Sequence, residues 1–252
     1  MLETEGLTIR FGGHAAVDGV SCAFHPGTLT AIVGPNGAGK TTYFNLISGQ
    51  LAATSGRVRL KGRDITTLAA PRRARLGLGR AFQLTNLFPN LTALENVRLA
   101  VQANSGRVLD LLGRASRHRD LADRAMAHLA AVALADRAAA VSATLSHGDQ
   151  RKLEVAILLA LEPDVFMFDE PTAGMSVDDV PAVLDVIAAI KARGDKTILL
   201  VEHKMDVVRA LADRIVVLHH GQLVADGPPA EIIASDVVRE AYLGGAAEAG
   251  HG

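Results

Sequence analysis

The chain has 252 residues, with 26 Lys and Arg against 27 Asp and Glu, so its formal net charge of −1 gives no global attraction to nucleic acid or anionic lipid. A single cysteine, Cys22, excludes an internal disulfide and fits a reducing compartment, and hydrophobic residues at 49% are enough for one large domain or a main domain with a small subdomain. The opening "MLETEGLTIRF" has no signal pattern, and no apolar run nears the roughly 20 residues of a membrane span; a soluble protein is expected, with any membrane role supplied by a partner.

In chain order, "LTIRF" (7–11) and "VSCAF" (20–24) read as strands with Gly12-Gly13 turning between them. "LTAIV" (29–33) is a short apolar run feeding directly into glycines, which suits a buried strand. "KTTYFNLIS" (40–48) reads as a helix that Gly49 ends, and "GRVRL" (56–60) alternates like a half-exposed strand. From about 92 to 140 the chain is rich in Ala, Leu and Arg with no clear strand, and reads as a helical insertion. "VFMF" (165–168) and "TILLV" (197–201) are again short buried strands, with a helix over about 177–192 between them. "RIVVLHH" (214–220), Gly221 and "QLVAD" (222–226) form a hairpin pattern, and 244–252 is a loose, flexible tail. Strands alternating with helices give an α/β fold with a parallel core, interrupted by a helical subdomain. The expected division is a single domain over 1–243, with the core at about 1–91 and 161–243 and the helical subdomain at about 92–160.

Residues 34–41, "GPNGAGKT", match the phosphate-loop spacing in full, with Gly34, Gly39, Lys40 and Thr41 at the defined positions. The flanking strand and helix are the required context. Glycines let successive N–H groups face a triphosphate, the helix N-terminus adds its positive end, and Lys40 supplies a mobile cation. The Thr41 hydroxyl suits Mg²⁺, which takes oxygen ligands. Pro35, Asn36, Gly37, Ala38 and Thr42 complete the expected loop lining. Asp169 and Glu170 end a buried strand, at the edge where α/β folds bind ligands. Two adjacent carboxylates there are best satisfied by a shared cation, with Asp169 toward Mg²⁺ and Glu170 as the base that polarises water.

The phosphate loop, Gln83 in "AFQ", "LSHGDQ" at 145–150, "VFMFDEPT" at 165–172 and His203 in "VEH" occur in an order that resembles the ATP-binding-cassette (ABC) family of transporter ATPases. The resemblance covers about residues 3–235. "FGGHAAVDGV", "AFQLTNLF", "PTAGM" and "VEHKMDVV" are similar to the subgroup that energises import of branched-chain amino acids, to which urea and short-chain amide importers also belong. It implies a phosphate-loop ATPase fold with an antiparallel β subdomain. It also implies ATP and Mg²⁺ as ligands, Phe11 stacked on adenine, Gln83 reaching Mg²⁺ and water, and His203 on the γ-phosphate. Ser146 and Gly148 belong to the signature turn, which in this family binds the γ-phosphate of ATP held by the other subunit of a head-to-tail dimer. Expected partners are transmembrane permease subunits, an identical or sister cassette, and a substrate-binding protein in the full complex, at the cytoplasmic face of the membrane.

Some positions depart from the family pattern. His147 replaces the first glycine of the signature turn, and Asp149 takes the place of a usual Gln or Glu and is expected to point away from the triphosphate. Ser176 stands where many relatives carry an Asp. Arg72, Arg73, Arg75 and Arg80 form a basic run that reads as a solvated face rather than a nucleic-acid patch, since Trp is absent and aromatics are 4%. Leu87, Phe88 and Leu91 are open to two readings, packing at a helix start or seating a short helix of the membrane subunit. Alternatives to an amino-acid importer are a urea or amide importer, a lipopolysaccharide-type exporter, and a non-transport switch on DNA or ribosomes.

Overall fold

The structure is a computed structural model that describes residues 1–81, 87–105 and 115–235. In chain order the elements are β1 (Leu2–Phe11), β2 (His14–Phe24), β3 (Leu29–Val33), α1 (Lys40–Ser48), β4 (Ser55–Leu60), β5 (Arg63–Asp64), α2 (Ala70–Arg75) and β6 (Leu78–Ala81). Then come α3 (Ala93–Asn104), α4 (Ala115–Ala131), two short 3₁₀ turns, α5 (His147–Leu161), β7 (Val165–Asp169), α6 (Val180–Ala192), β8 (Thr197–Val201), α7 (Met205–Leu211), β9 (Arg214–His219), β10 (Gln222–Gly227) and α8 (Pro229–Ala234). Two units divide them: the first takes Met1–Leu78, Asp164–Glu170 and the chain from Lys191 onward, the second Gly79–Pro163 and Pro171–Ile190.

The first unit holds an antiparallel sheet in the order β2-β1-β4-β5 and a larger sheet in which β10-β9-β3-β8-β7 are neighbours. In the larger sheet β3 runs parallel to β8 and β9, and β7 parallel to β8, while β10 pairs antiparallel to β9. All five residues of β3, β7 and β8 are buried, as expected of parallel strands covered on both faces. The period of two sorts their side chains. Ile32, Val216 and Leu218 join a core with Phe24, Tyr43, Phe44 and Ile47, while Ala31, Val33, Ile215 and Val217 face Val208 of α7 and Ile232 of α8. The first core therefore seats α1, and with it the loop that precedes α1, on the large sheet.

Cys22 faces this core and is buried. Burial pushes its thiol up from 9.0 to about 11, against the pull of the Arg214 guanidinium, whose Nη2 lies 3.5 Å from Sγ. A thiol whose folded pKa is raised contributes stability that is complete below about pH 9 and lost as pH climbs toward 11. The folded chain is expected to resist iodoacetamide at pH 8 under conditions where the urea-unfolded chain alkylates fully, as read by mass spectrometry.

The basic run does not form one solvated face. Arg72 and Arg75 are exposed, but Arg73 and Arg80 are buried. Arg73 donates from Nη1 to the Leu46 and Ile47 carbonyls at 2.7 and 2.6 Å, from Nε to Leu68 and from Nη2 to Thr66. It thereby satisfies the Ile47 carbonyl at the C-terminal end of α1 and gives the Leu46 carbonyl a second donor beside the Gly49 N–H at 3.3 Å. Gly49 makes the space, since a Cβ there would lie 2.6 Å from Arg73 Nε.

In the second unit α3, α4 and α5 pack on one another, and Val97, Val101, Ala125, Leu129 and Leu153 on them are buried. Thr92 and Glu95 form a reciprocal capping box at the start of α3. Buried Asn96 accepts from the Phe88 N–H at 2.9 Å and donates to Ser142 Oγ at 2.7 Å and the Thr92 carbonyl at 2.9 Å. The backbone before α3 is thus fixed while the Phe88 ring stands 56% exposed and Leu91 is half-buried.

Candidate active site

The phosphate loop is shaped by contacts that only glycine allows. A Cβ on Gly34 would lie 2.1 Å from the Leu218 carbonyl, and one on Gly39 2.4 Å from the Ala16 carbonyl. Both have positive φ, 149° and 94°. The loop is wedged between β2 and the β9–β10 hairpin, whose Gly221 N–H donates to the Ala38 carbonyl at 3.1 Å. Gly39 is the N-cap of α1 and offers no side chain, so the first N–H groups of the helix stay available to an anion.

A cavity of about 220 Å³ lies over this loop, lined by His14, Ala16, Asn36 to Thr42, Glu170 and His203. Lys40 is 6% exposed, and its Nζ donates to the Gly34 and Pro35 carbonyls at 2.7 and 2.9 Å. Burial lowers its pKa, while Glu170 and Asp169 oppose that shift. These neutral carbonyl acceptors are weaker partners than a phosphate, so the ammonium is poised to move to one.

Asp169 is the last residue of β7 and is 2% exposed. The Glu170 N–H continues the ladder to the Val201 carbonyl, but its backbone turns left-handed at φ 50°. That conformation is costly for a side-chain-bearing residue and clusters at functional sites. It brings Glu170 Oε1 to 2.8 Å from His203 Nε2. His203 is held in turn by Glu202, a buried carboxylate that accepts from the His203 N–H at 3.0 Å. Phe11 ends β1 opposite His14, and its ring is 54% exposed beside that residue of the cavity wall.

The structure therefore brings together Gly34 to Thr42 (Pro35 included), Glu170 and His203, with Asp169 at the end of the same strand. Gln83 lies outside the described residues. Ser146 and Gly148 belong to the second unit, where Ser146 Oγ caps α5 by accepting from the Asp149 N–H at 3.1 Å. The Asp149 carboxylate turns along α5 to within 3.7 Å of Lys152 Nζ. His14 and Ala16 line the cavity without having been singled out by sequence; no spacing rule marks them, because β-strand pairing alone carries them there. Among the described residues no group of three or more His, Cys, Asp or Glu is arranged to hold a metal ion. The side-chain hydroxyls of the lining are Thr41 and Thr42, and the carboxylates at the strand end are Asp169 and Glu170, of which Glu170 is engaged by His203. That set fits Mg²⁺ arriving with phosphate oxygens and water, and is too sparse for a metal held by protein alone.

A strand–glycine loop–helix, a carboxylate with left-handed backbone and a histidine within hydrogen-bond reach define a phosphate-loop nucleotide hydrolase. The profile described as "ABC transporter" matches residues 17–173, and one described as "Branched-chain amino acid ATP-binding cassette transporter" matches 222–248. The chain belongs to the ABC transporter family and is one of its ATPase cassettes. It is 36% identical over 249 residues to the high-affinity branched-chain amino acid transport ATP-binding protein LivG of Escherichia coli, covering 97% of this chain and 98% of LivG. It is 37% identical to BraF of Pseudomonas aeruginosa, which carries the same description, with the same coverage. Among solved structures it is similar to the ADP conformation of MJ1267, an ATP-binding cassette of an ABC transporter, at TM-score 0.80 and 28% identity over 97% of this chain and 98% of that one. A dimeric post-hydrolysis cassette bound to ADP and Pi, MJ0796, matches at TM-score 0.79 and 25% identity, over 91% and 99%.

Proposed function

We propose that this cassette hydrolyses ATP to power uptake of branched-chain and other hydrophobic amino acids through partner permease subunits, at the cytoplasmic face of the membrane. The Glu170–His203 pair facing the phosphate loop carries the hydrolytic reading. The full-length similarity to LivG and BraF favours the amino-acid solute over urea, amide or lipopolysaccharide. Among the described residues no helix is long and apolar enough to cross a membrane, so the permease path would belong to other chains.

Each residue has a role in this reading. Phe11 would stack on adenine. The N–H groups of Asn36 to Thr42 would cradle the phosphates, and Lys40 would leave its two carbonyls for the β- and γ-phosphates. Thr41 and Asp169 would hold Mg²⁺, with Gln83 beside the attacking water; when bound, Mg²⁺ neutralises charge on the phosphate oxygens. Glu170 would take the proton of water, and His203 would orient Glu170 and contact the γ-phosphate. Ser146 and Gly148 would bind the γ-phosphate held by a second cassette, identical or sister. The Phe88 ring, presented on backbone that Asn96 fixes, would meet the permease.

The test is affinity purification of the full chain from detergent-solubilised membranes, followed by reconstitution. Hydrophobic permease chains and a second cassette should co-purify, and leucine-loaded binding protein should stimulate ATP hydrolysis. Hydrolysis coupled instead to lipid export, or a chain that never associates with a permease, would remove this reading.

A further inference from the structure

Lys152 lies in the second turn of α5, six residues after Ser146, and is only 7% exposed. A buried ammonium needs a partner. Its direct partner is Asp179, whose Oδ1 accepts from Lys152 Nζ; Asp149 stands further off at 3.7 Å. The second oxygen of Asp179 accepts from Ser176 Oγ at 2.7 Å. That same Oδ2 would lie 3.0 Å from a Cβ built on Gly148. One carboxylate thus grips α5, ties down the segment 171–179 that follows the acid pair in the chain, and fills the space against the signature glycine. The Lys152 and Ser176 hydrogen bonds, in that order, hold the Asp179 carboxyl below its usual range.

We propose that Asp179 is a positioning residue that sets where the Ser146–Gly148 turn lies for the phosphate of the other cassette. The inference rests on the two-cassette reading above. A surface ion pair would contribute little to anything, but this one joins a nearly buried lysine to the turn itself. It also gives Lys152 a stronger anchor than Asp149. Without Asp179, the lysine's nearest remaining carboxylate is in the signature turn, and collapse onto it would displace that turn. Ser176 steadies the same carboxylate by donating its hydroxyl to Asp179 Oδ2.

The experiment uses the full chain in a Glu170→Gln background, with ATP-driven pairing followed by light scattering and ADP binding to the single cassette followed by calorimetry. Asp179→Asn should raise the ATP concentration for half-maximal pairing about tenfold, equivalent to ~1.4 kcal/mol. ADP affinity at the chain's own phosphate loop should stay within about twofold, because that loop is in the other unit. Lys152→Arg, which keeps the charge, should pair nearly as the parent does. Pairing by Asp179→Asn at parental ATP concentrations would overturn the proposal. So would equal losses of pairing and ADP affinity, which would mark a general structural defect. Should Asp179→Asn not fold, Ser176→Ala removes only the hydroxyl and should shift pairing about threefold in the same direction; no shift would be fatal. A Glu170→Gln parent that never pairs would sink the two-cassette reading and this proposal with it, whereas a pairing parent with an indifferent Asp179→Asn sinks this proposal alone.

Discussion

Glu170→Gln is expected to slow steady-state ATP hydrolysis by about 10²–10⁴-fold, the range a positioned general base contributes, while ATP binding persists. The amide matches the carboxylate in size and hydrogen-bonds His203 equally well, so the left-handed backbone at φ 50° and the 2.8 Å contact should survive. What it lacks is basicity. The phosphate loop, Lys40 and the α1 N-terminus are untouched, and in the proposed reading these would carry the affinity for the triphosphate. Binding without turnover should accumulate the ATP-bound pair of cassettes, visible by light scattering and absent with ADP. Single-turnover kinetics would separate slowed chemistry from slowed release. Turnover within about threefold of the parent would take the base role away from Glu170.

The elements read most closely from the sequence are those whose neighbours hardly matter. β3 and β8 fall on the expected residues because a parallel strand covered on both faces is a continuous apolar run, and α1 is bracketed by Gly39 and Gly49. β1 and β2 are longer than their sequence pattern suggests. Gly6 and Gly19 have positive φ and the pairing register shifts at Thr4/Leu7, which interrupts the alternation that marks a strand. α6 starts at Val180 instead of near Val177, after a turn in which the Asp179 N–H donates to the Ser176 carbonyl at 3.1 Å.

The phosphate loop and acid pair were legible because their chemistry is local: a fixed spacing on one turn and one strand end. The His203–Glu170 contact spans 33 positions, and only the family resemblance put both residues in one site. Lys152 and Asp179 stand 27 positions apart with no motif joining them. Arg73 was misread for a related reason. Four arginines within nine positions of charge-rich sequence look solvated, and nothing in that run announces a carbonyl cluster contributed by a helix 26 residues earlier.

That cluster sets the second large expectation: Arg73→Met should destabilise the chain by about 3–5 kcal/mol. Methionine fills much of the same volume, so the loss reflects hydrogen bonds more than a void. Four carbonyls accept from one guanidinium: Leu46, Ile47, Leu68 and Thr66. The Leu46 carbonyl keeps the Gly49 N–H, but Ile47, Leu68 and Thr66 lose the donor that Arg73 supplies, and each buried acceptor left without a donor costs about 1–3 kcal/mol, reduced where relaxation admits water. Burial draws the Arg73 pKa down to about 10, so the guanidinium is still charged at neutral pH and the bonds are charge-assisted. Arg73→Lys should recover only part of the loss, because an ammonium has three donors and no planar fork to reach four acceptors. With no Trp in the chain, urea unfolding is best followed by far-UV circular dichroism. The two Leu46 and Ile47 bonds close the C-terminal end of the helix whose N-terminal end faces the cavity. Even so, binding and stability should separate. Saturating ATP at about 100 times its Kd adds ~2.7 kcal/mol to any form that keeps the phosphate loop intact. An equal ATP-induced gain in the parent and in Arg73→Met would place the damage in the scaffold under α1 and leave the loop unharmed. A parental midpoint in Arg73→Met would mean that the carbonyls of Ile47, Leu68 and Thr66 find water as readily as they find arginine.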